Sequence, residues 1–118
     1  MAEKKGYVAT SKFLIASPTK VRPVAHVINQ KSYTEAMAIL ANMPQKGATL
    51  ISATLKSAAA NALNQNSKLD EDMLYVKEIR VDEGPRLKRV WFRARCRADQ
   101  LLKRMCHITV SVDEKAGE

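Results

Sequence analysis

The chain has 118 residues, of which 46% are hydrophobic and 27% are charged, and its formal net charge is +8. This length suits a single domain with one modest core, and the composition excludes a chain that is disordered throughout. No apolar run approaches the roughly 18 residues of a membrane span, and no apolar segment follows the first lysines, so neither a membrane helix nor a secretory signal is expected. Two cysteines are too few for a disulfide framework, which favours the reducing cytoplasm.

The first part of the chain predicts a strand followed by a helix. Rough alternation of β-branched and aromatic residues predicts the strand at 7–15. Ser17 followed by Pro18 offers an N-cap and a proline at the first helical position, and apolar residues at helical spacing extend this helix to about residue 29. Pro23 favours a bend or a later start, because it removes one backbone donor.

Two more helices are predicted before the spacing of apolar residues changes from helical to strand-like. The sequence SYTE at 32–35 is a capping box that opens the second helix, which Pro44 stops. An apolar stripe rich in alanine then predicts a third helix from residue 44 or 45 to 64. The polar segment NQNSKLDED that follows indicates a loop.

The last third of the chain predicts a long, basic hairpin. Period-two alternation predicts strands at 74–81 and 107–112. Between them, residues 80–104 hold nine basic and three acidic side chains, an excess of six positive charges out of the net eight. Arms of roughly 15 residues would reach on the order of 50 Å, whereas a compact domain of this length has a radius of gyration of about 13–14 Å. We therefore expect a projecting hairpin that is mobile alone and ordered by a partner.

The residue patterns that could support catalysis are incomplete. Ser17 and Lys20 match a Ser-x-x-Lys motif without its companion elements, and the four glycines are too scattered for a phosphate-binding loop. The cysteines and histidines lack the closely spaced pairs of a structural zinc site. Asp70-Glu71-Asp72 could hold Mg²⁺ in a small metal-dependent nuclease, which stays open as an alternative, although a solvated loop is favoured.

The basic stretch itself fits a membrane-surface helix poorly. The segment RADQLLKRM at 97–105 would align Leu101, Leu102 and Met105 on one helical face. Upstream, however, the basic residues circle a helix instead of lining one side of it. A merely solvated basic loop is the other plain interpretation, but so many like charges with few acids are costly without a partner.

Nucleic acid is the partner that the basic stretch fits best. In a strand, Arg93, Arg95 and Arg97 would share one side. Arginine pairs with phosphate in a bidentate manner and stacks on bases, and Trp91 and Phe92 supply aromatic faces. Concentrated positive charge of this kind is typical of a surface that meets a polyanion, such as RNA or another nucleic acid.

Several ordered motifs also resemble a known family. SPTKVRPVAHVINQKSYTEAMAIL, KSAAANALNQN and VDEGPRLKRVWFRARCRADQLLKRMCHITVSV are similar, in that order, to the bacterial L-twenty-two family of large-subunit ribosomal proteins, over about residues 9–112. The resemblance implies an α+β fold in which three helices pack on a small three-stranded antiparallel sheet with a long protruding β-hairpin. It implies one domain over 1–118, with a globular head at about 7–80 and 105–113 and the hairpin at about 80–104.

The resemblance further implies a non-enzymatic structural constituent of the large ribosomal subunit that needs no cofactor and supports subunit assembly. Its hairpin would line the nascent-peptide exit tunnel. Its expected partners are large-subunit ribosomal RNA, neighbouring ribosomal proteins and the nascent peptide near the hairpin tip, with no membrane. The residues expected to contact RNA are Lys12, Lys20, Arg22, Arg80, Arg86, Lys88, Arg89, Trp91, Phe92, Arg93, Arg95, Arg97, Lys103, Arg104 and His107.

Two residues near the hairpin tip depart from the family pattern. The family usually has proline where this chain has Phe92 and glycine where it has Cys96. Glycine permits a positive φ at a tight tip, so Cys96 predicts either a different turn geometry or local strain. Phe92 offers an additional ring that could stack on a base.

Overall fold

A strand, three helices and four further strands follow one another in the computed structural model, which describes residues 6–114. The elements are β1 (Tyr7–Leu14), α1 (Pro18–Ile28), α2 (Tyr33–Asn42), α3 (Lys46–Gln65), β2 (Leu74–Glu83), β3 (Leu87–Phe92), β4 (Ala98–Lys103) and β5 (Cys106–Glu114). Strand β5 lies between β1 and β2 and is antiparallel to both, while β3 and β4 pair only with each other. Three helices and a three-stranded antiparallel sheet confirm the predicted α+β fold.

The core lies between the helices and one face of the sheet. In β5 the residues Cys106, Ile108, Val110 and Val112 are fully buried, as the period-two pattern predicted. Helix α3 packs on β1 and β5, and α1 packs on β2. The alanines of α3 allow the helix to lie close to the sheet. The whole apolar stripe of this helix is buried and consists of Ile51, Leu55, Ala58, Ala59 and Ala62. Each fully buried valine, leucine or isoleucine side chain contributes about 1.5–3 kcal/mol.

Helix α1 begins where the sequence predicted, but the expected side-chain cap from Ser17 does not form. The later start that Pro23 favoured is wrong, because the helix runs from Pro18 through Pro23 to Ile28. Pro23 is exposed, so water can satisfy the carbonyl that its ring leaves unbonded. The Ser17 side chain does not cap the helix; its Oγ lies 2.8 Å from Thr19 Oγ1. The Ser17 carbonyl accepts hydrogen bonds from the first turn instead.

Half of the predicted capping box forms at the start of α2. Ser32 Oγ accepts a hydrogen bond from the Glu35 N–H at 3.4 Å, while the return bond from the Glu35 carboxylate is not formed between these two residues. The next residue, Tyr33, is buried in the core. Burial raises the pKa of its phenol, and the nearby Glu71 carboxylate raises it further, so Tyr33 stays neutral at physiological pH.

Loss of the Ser32 hydroxyl gives a direct measure of this cap. We expect Ser32→Ala to lower the free energy of unfolding by about 1 kcal/mol, because one backbone donor at the start of α2 loses its partner. Urea denaturation followed by circular dichroism would measure the loss. Thr34→Ala is the matched control, since Thr34 is exposed in the same first turn and does not cap. Equal losses in both variants would contradict the capping role.

The predicted continuous hairpin is interrupted near its base. Strands β2 and β5 stay paired as far as Glu83 and Cys106, and the Gly84 N–H still donates to the Met105 carbonyl at 2.8 Å. Pro85 then has no N–H to donate, and pairing resumes only at Leu87 and Lys103. The molecule nevertheless measures 68 × 35 × 21 Å, with a radius of gyration of 17.6 Å. These dimensions agree with a hairpin that projects from the head.

Candidate nucleic-acid interface

We call the segment Leu87–Lys103 the finger; it consists of β3, a tip and β4. Every residue of the finger is exposed, including large apolar side chains such as Phe92 at 83% and Trp91 at 53% of their full accessible surface. Side chains directly opposite each other in an antiparallel pair lie on the same face. A two-stranded ribbon without a core is marginal in water. The finger therefore needs a partner to cover it.

The register of the finger separates two different faces. One face carries Leu87, Arg89, Trp91, Asp99, Leu101 and Lys103, and the other carries Lys88, Val90, Phe92, Ala98, Gln100 and Leu102. The first face holds two cations and one acid around an indole ring. The second holds a single cation beside mostly apolar groups. Each face thus combines positive charge with an aromatic ring, the combination that single-stranded nucleic acids bind.

The tip of the finger shows why its arginines do not form one row. Strand β3 ends at Phe92, so the prediction that Arg93, Arg95 and Arg97 share one side of a strand is wrong. The Arg97 N–H donates to the Ala94 carbonyl at 3.4 Å, and the Arg93 N–H donates to the Arg97 carbonyl at 2.7 Å. These bonds close a tight turn in which Arg95 is a central residue, while Arg93 and Arg97 lie at its two ends. All three side chains are exposed and lie close together at the tip, where a polyanion can reach them.

The two central residues of this turn, Arg95 and Cys96, have φ values of 60° and 58°. Positive φ at both positions is the pattern of a type I′ turn, which suits the twist of the two strands and normally uses Asn-Gly. A residue with a Cβ pays about 1–2 kcal/mol there. The local strain that Cys96 predicted is confirmed.

Relief of this strain can be tested without touching any charge. We expect Cys96→Gly to stabilise the closed tip by about 1 kcal/mol. Glycine removes the steric penalty of the Cβ at positive φ. It also loses more backbone entropy when the turn closes, but this cost is smaller than the penalty that it removes. Amide hydrogen exchange at Arg93 and Arg97 should then slow by about fivefold. Ala94→Gly is the control, because Ala94 does not have a positive φ and should lose protection. Faster exchange in Cys96→Gly would contradict the turn assignment.

One acid partly neutralises the finger. Arg93 Nε lies 2.8 Å from Asp99 Oδ2, and this bond ties the tip to β4. Both side chains are 57% exposed, so the pair adds little to stability. In the part of the chain that the structure describes, no carboxylate lies within ion-pairing distance of Lys88, Arg95 or Arg97. These three cations are therefore available to phosphate.

The predicted contacts outside the finger are only partly available. Arg22 donates from Nε and Nη2 to the Val81 carbonyl, at 3.2 and 3.0 Å, and so joins α1 to β2. Arg80 lies 4.0 Å from Glu78, and Arg86 lies 3.7 Å from Glu83; both are weak, exposed pairs. The remaining predicted cations, Lys12, Lys20 and Arg104, are exposed.

His107 is less available to RNA than the sequence indicated. Its Nδ1 accepts a hydrogen bond from the Phe13 N–H at 3.0 Å, so only Nε2 is left to donate. The sequence did not single out Phe13, although the segment SKFLI breaks the strict alternation of β1. The neighbouring Cys106 is buried, and burial raises the pKa of its thiol, which stays protonated and neutral.

The structure does not support a membrane-surface helix or a metal-dependent nuclease site in the described residues. Residues 98–103 form a strand, so the helix that a membrane-surface site required does not form there. Among residues 6–114, no helix is long and apolar enough to cross a membrane. Glu71–Met73 is a short 3₁₀ turn after Asp70, and the described residues contain no group of three potential ligands placed to hold a metal ion.

Comparison with known proteins extends over nearly the whole chain. A family model described as ribosomal protein L22p/L17e matches residues 9–113. Three curated relatives carry the name large ribosomal subunit protein uL22. The protein from Treponema denticola is 74% identical over 118 residues, the full length of both chains. That from Treponema pallidum is 59% identical over 97% of this chain and 92% of its own, and that from Borreliella afzelii is 52% identical over 98% and 96%.

Proposed function

Because the chain belongs to the ribosomal protein L22p/L17e family, we propose that its finger binds large-subunit ribosomal RNA and anchors the protein in the large ribosomal subunit. Members of this family are structural proteins of the cytoplasmic ribosome, with ribosomal RNA and other ribosomal proteins as partners, and they are not enzymes. The observation that carries the proposal is a fully exposed finger with positive charge on both faces and around its tip.

Binding would begin with long-range attraction and end with ordering of the finger. The focused positive charge draws the chain towards phosphate, and each neutralised phosphate releases condensed counterions. The head keeps its own core, so the energy of these contacts is available to order the finger within folded RNA. Phosphates around Lys88, Arg95 and Arg97 then remove the mutual repulsion of these cations, and bases cover Trp91 and Phe92.

The resemblance to the family also suggests where the tip of the finger lies in the large subunit. The strained turn at Arg95 and Cys96 lies at the far end of a finger that projects from the head. We propose that head and finger act as a single domain, that the tip lines the nascent-peptide exit tunnel, and that a nascent peptide passes close to it. A finger fixed by RNA on several sides would also join separate RNA segments and so support subunit assembly.

The salt dependence of RNA binding tests the electrostatic part of this proposal. If six to nine side chains contact phosphate, the logarithm of the binding constant should fall with the logarithm of salt concentration at a slope of roughly −4 to −8. Filter binding of the whole chain to isolated large-subunit RNA, at several salt concentrations, would give this slope. A nearly flat dependence would rule out docking through phosphate contacts.

A further inference from the structure

We propose that Phe13 forms a second RNA contact on the head, where its ring stacks on one unpaired nucleobase. This inference rests on the proposed RNA binding and adds a site outside the finger. Phe13 is 58% exposed although it is a large aromatic residue in the strand at the edge of the sheet. Its φ is 59°, a strained conformation for a bulky side chain. Strain of this kind persists only where surrounding contacts enforce it.

The surrounding contacts fix both the backbone and the ring of Phe13. The pairing of β1 with β5 shifts its register between Ser11 and Leu14, and a bulge of this kind re-aims the side chains within it. The Phe13 N–H donates to His107 Nδ1 at 3.0 Å, and the two rings meet edge to face with centroids 5.1 Å apart. Because the contact is edge to face, at least one face of the Phe13 ring is not covered by His107.

The charges around Phe13 favour an anionic partner such as RNA over a basic or neutral surface. No acidic residue occurs between residues 6 and 34, whereas Lys12 precedes Phe13 directly. The Lys46 ammonium donates to the Ile15 carbonyl at 2.7 Å, which places another cation beside this segment. On the far side of β5, Asp82 is paired with His107, so the histidine separates this acid from Phe13.

The same surface continues towards the base of the finger. Ile15 is 57% exposed and shares an open concavity with Lys20 and Arg104. An RNA strand whose base lies on Phe13 would thus find cations for its phosphates on the way to the finger. Stacking requires only the π-face of a base, so we expect the site to accept any of the four nucleobases.

The chain contains only two phenylalanines, Phe13 and Phe92, which permits a selective measurement. Fluorinated phenylalanine would give two fluorine NMR signals, assigned with the variant Phe13→Asn. Asparagine tolerates a positive φ and lacks the ring, so the bulge should remain. The probes are an unstructured mixed-sequence oligoribonucleotide and inorganic polyphosphate of similar charge. We expect the Phe13 signal to shift with the oligoribonucleotide and to stay in place with bound polyphosphate.

Affinities measured with the same probes complete the test. We expect Phe13→Asn to weaken oligoribonucleotide binding by about fivefold to 100-fold and to leave polyphosphate binding unchanged, with thermal unfolding still cooperative. Unchanged affinity for the oligoribonucleotide, or equal shifts with both probes, would overturn the inference while finger binding stands. Failure of the oligoribonucleotide to bind would also overturn the inference, whereas failure of isolated large-subunit RNA to bind the chain would refute the proposed function itself.

A crosslinking experiment on assembled subunits identifies the class of partner. Benzoylphenylalanine in place of Phe13 should crosslink to large-subunit RNA when purified subunits that carry this chain are irradiated. Crosslinks to protein alone would overturn the inference, because they would place a polypeptide on the ring.

Discussion

Replacement of Lys88, Arg95 and Arg97 by glutamine is expected to weaken binding to large-subunit RNA on the order of 100-fold at about 0.1 M salt. Three lost phosphate contacts should also reduce the magnitude of the salt slope by about 2 to 3. Each of these side chains is exposed on the finger, and none has an ion-pairing carboxylate among the described residues. Filter binding over a series of salt concentrations measures both quantities.

A charge-matched variant separates this effect from a change in net charge. Lys31, Lys56 and Lys68 lie on the head, outside the proposed interface, and their replacement by glutamine lowers the net charge by the same three units. We expect this variant to bind RNA within about threefold of the unaltered chain, because distant charges are screened at this ionic strength. Equal losses in both variants would mean that RNA responds to total charge and not to the finger.

Removal of the whole finger is expected to leave the head folded. In this variant an Asn-Gly turn replaces Leu87–Lys103 and connects Arg86 to Arg104. The finger contributes no residue to the buried core, all of which lies between Ala9 and Val81 or between Cys106 and Val112. Its removal should therefore change the free energy of unfolding by less than about 1 kcal/mol, while specific binding to large-subunit RNA is lost. Urea denaturation and filter binding measure the two outcomes.

The opposite result is expected for a core variant. Ile108 is fully buried in β5, so Ile108→Ala should cost about 2–5 kcal/mol. The folded fraction of this variant should bind RNA with nearly unchanged affinity per molecule.

Loss of cooperative unfolding in the finger-deleted chain would show that the finger belongs to the core, and the description of head and finger would be wrong.

Periodicity predicted those parts of the fold in which burial decides the structure. Ile108, Val110 and Val112 alternate because one face of β5 lies against α3, and the apolar stripe from Ile51 to Ala62 follows the opposite side of the same contact. In these elements burial of apolar side chains dominates the folding free energy, so the spacing of apolar residues in the sequence is sufficient to predict the element and its buried face. The start of α1 at Pro18 was predicted for a different reason, because the fixed φ of proline suits the first helical turn.

The details that the sequence did not reveal depend on long-range pairing. Phe13 acquires its positive φ from a register shift against β5, a strand some 90 residues further along the chain, and from a bond to His107. Arg93 and Arg97 leave the strand face because β3 ends at Phe92 and the tip needs a two-residue turn. Pro85 interrupts the hairpin because it has no N–H to donate, and a proline between two predicted strands is a signal of such a break that is visible in the sequence.

Cys96 offers a direct test of whether the tip of the finger lies within ribosomal RNA. It is exposed at the tip, whereas Cys106 is buried, so an iron chelate can be attached at one defined position. The labelled chain would be assembled into large subunits, and hydroxyl radicals generated at the iron would cut nearby RNA. We expect cuts in large-subunit RNA that are absent when Cys96→Ser subunits receive the same treatment. Subunits that contain the labelled chain but show no additional cuts would contradict the placement of the finger in RNA.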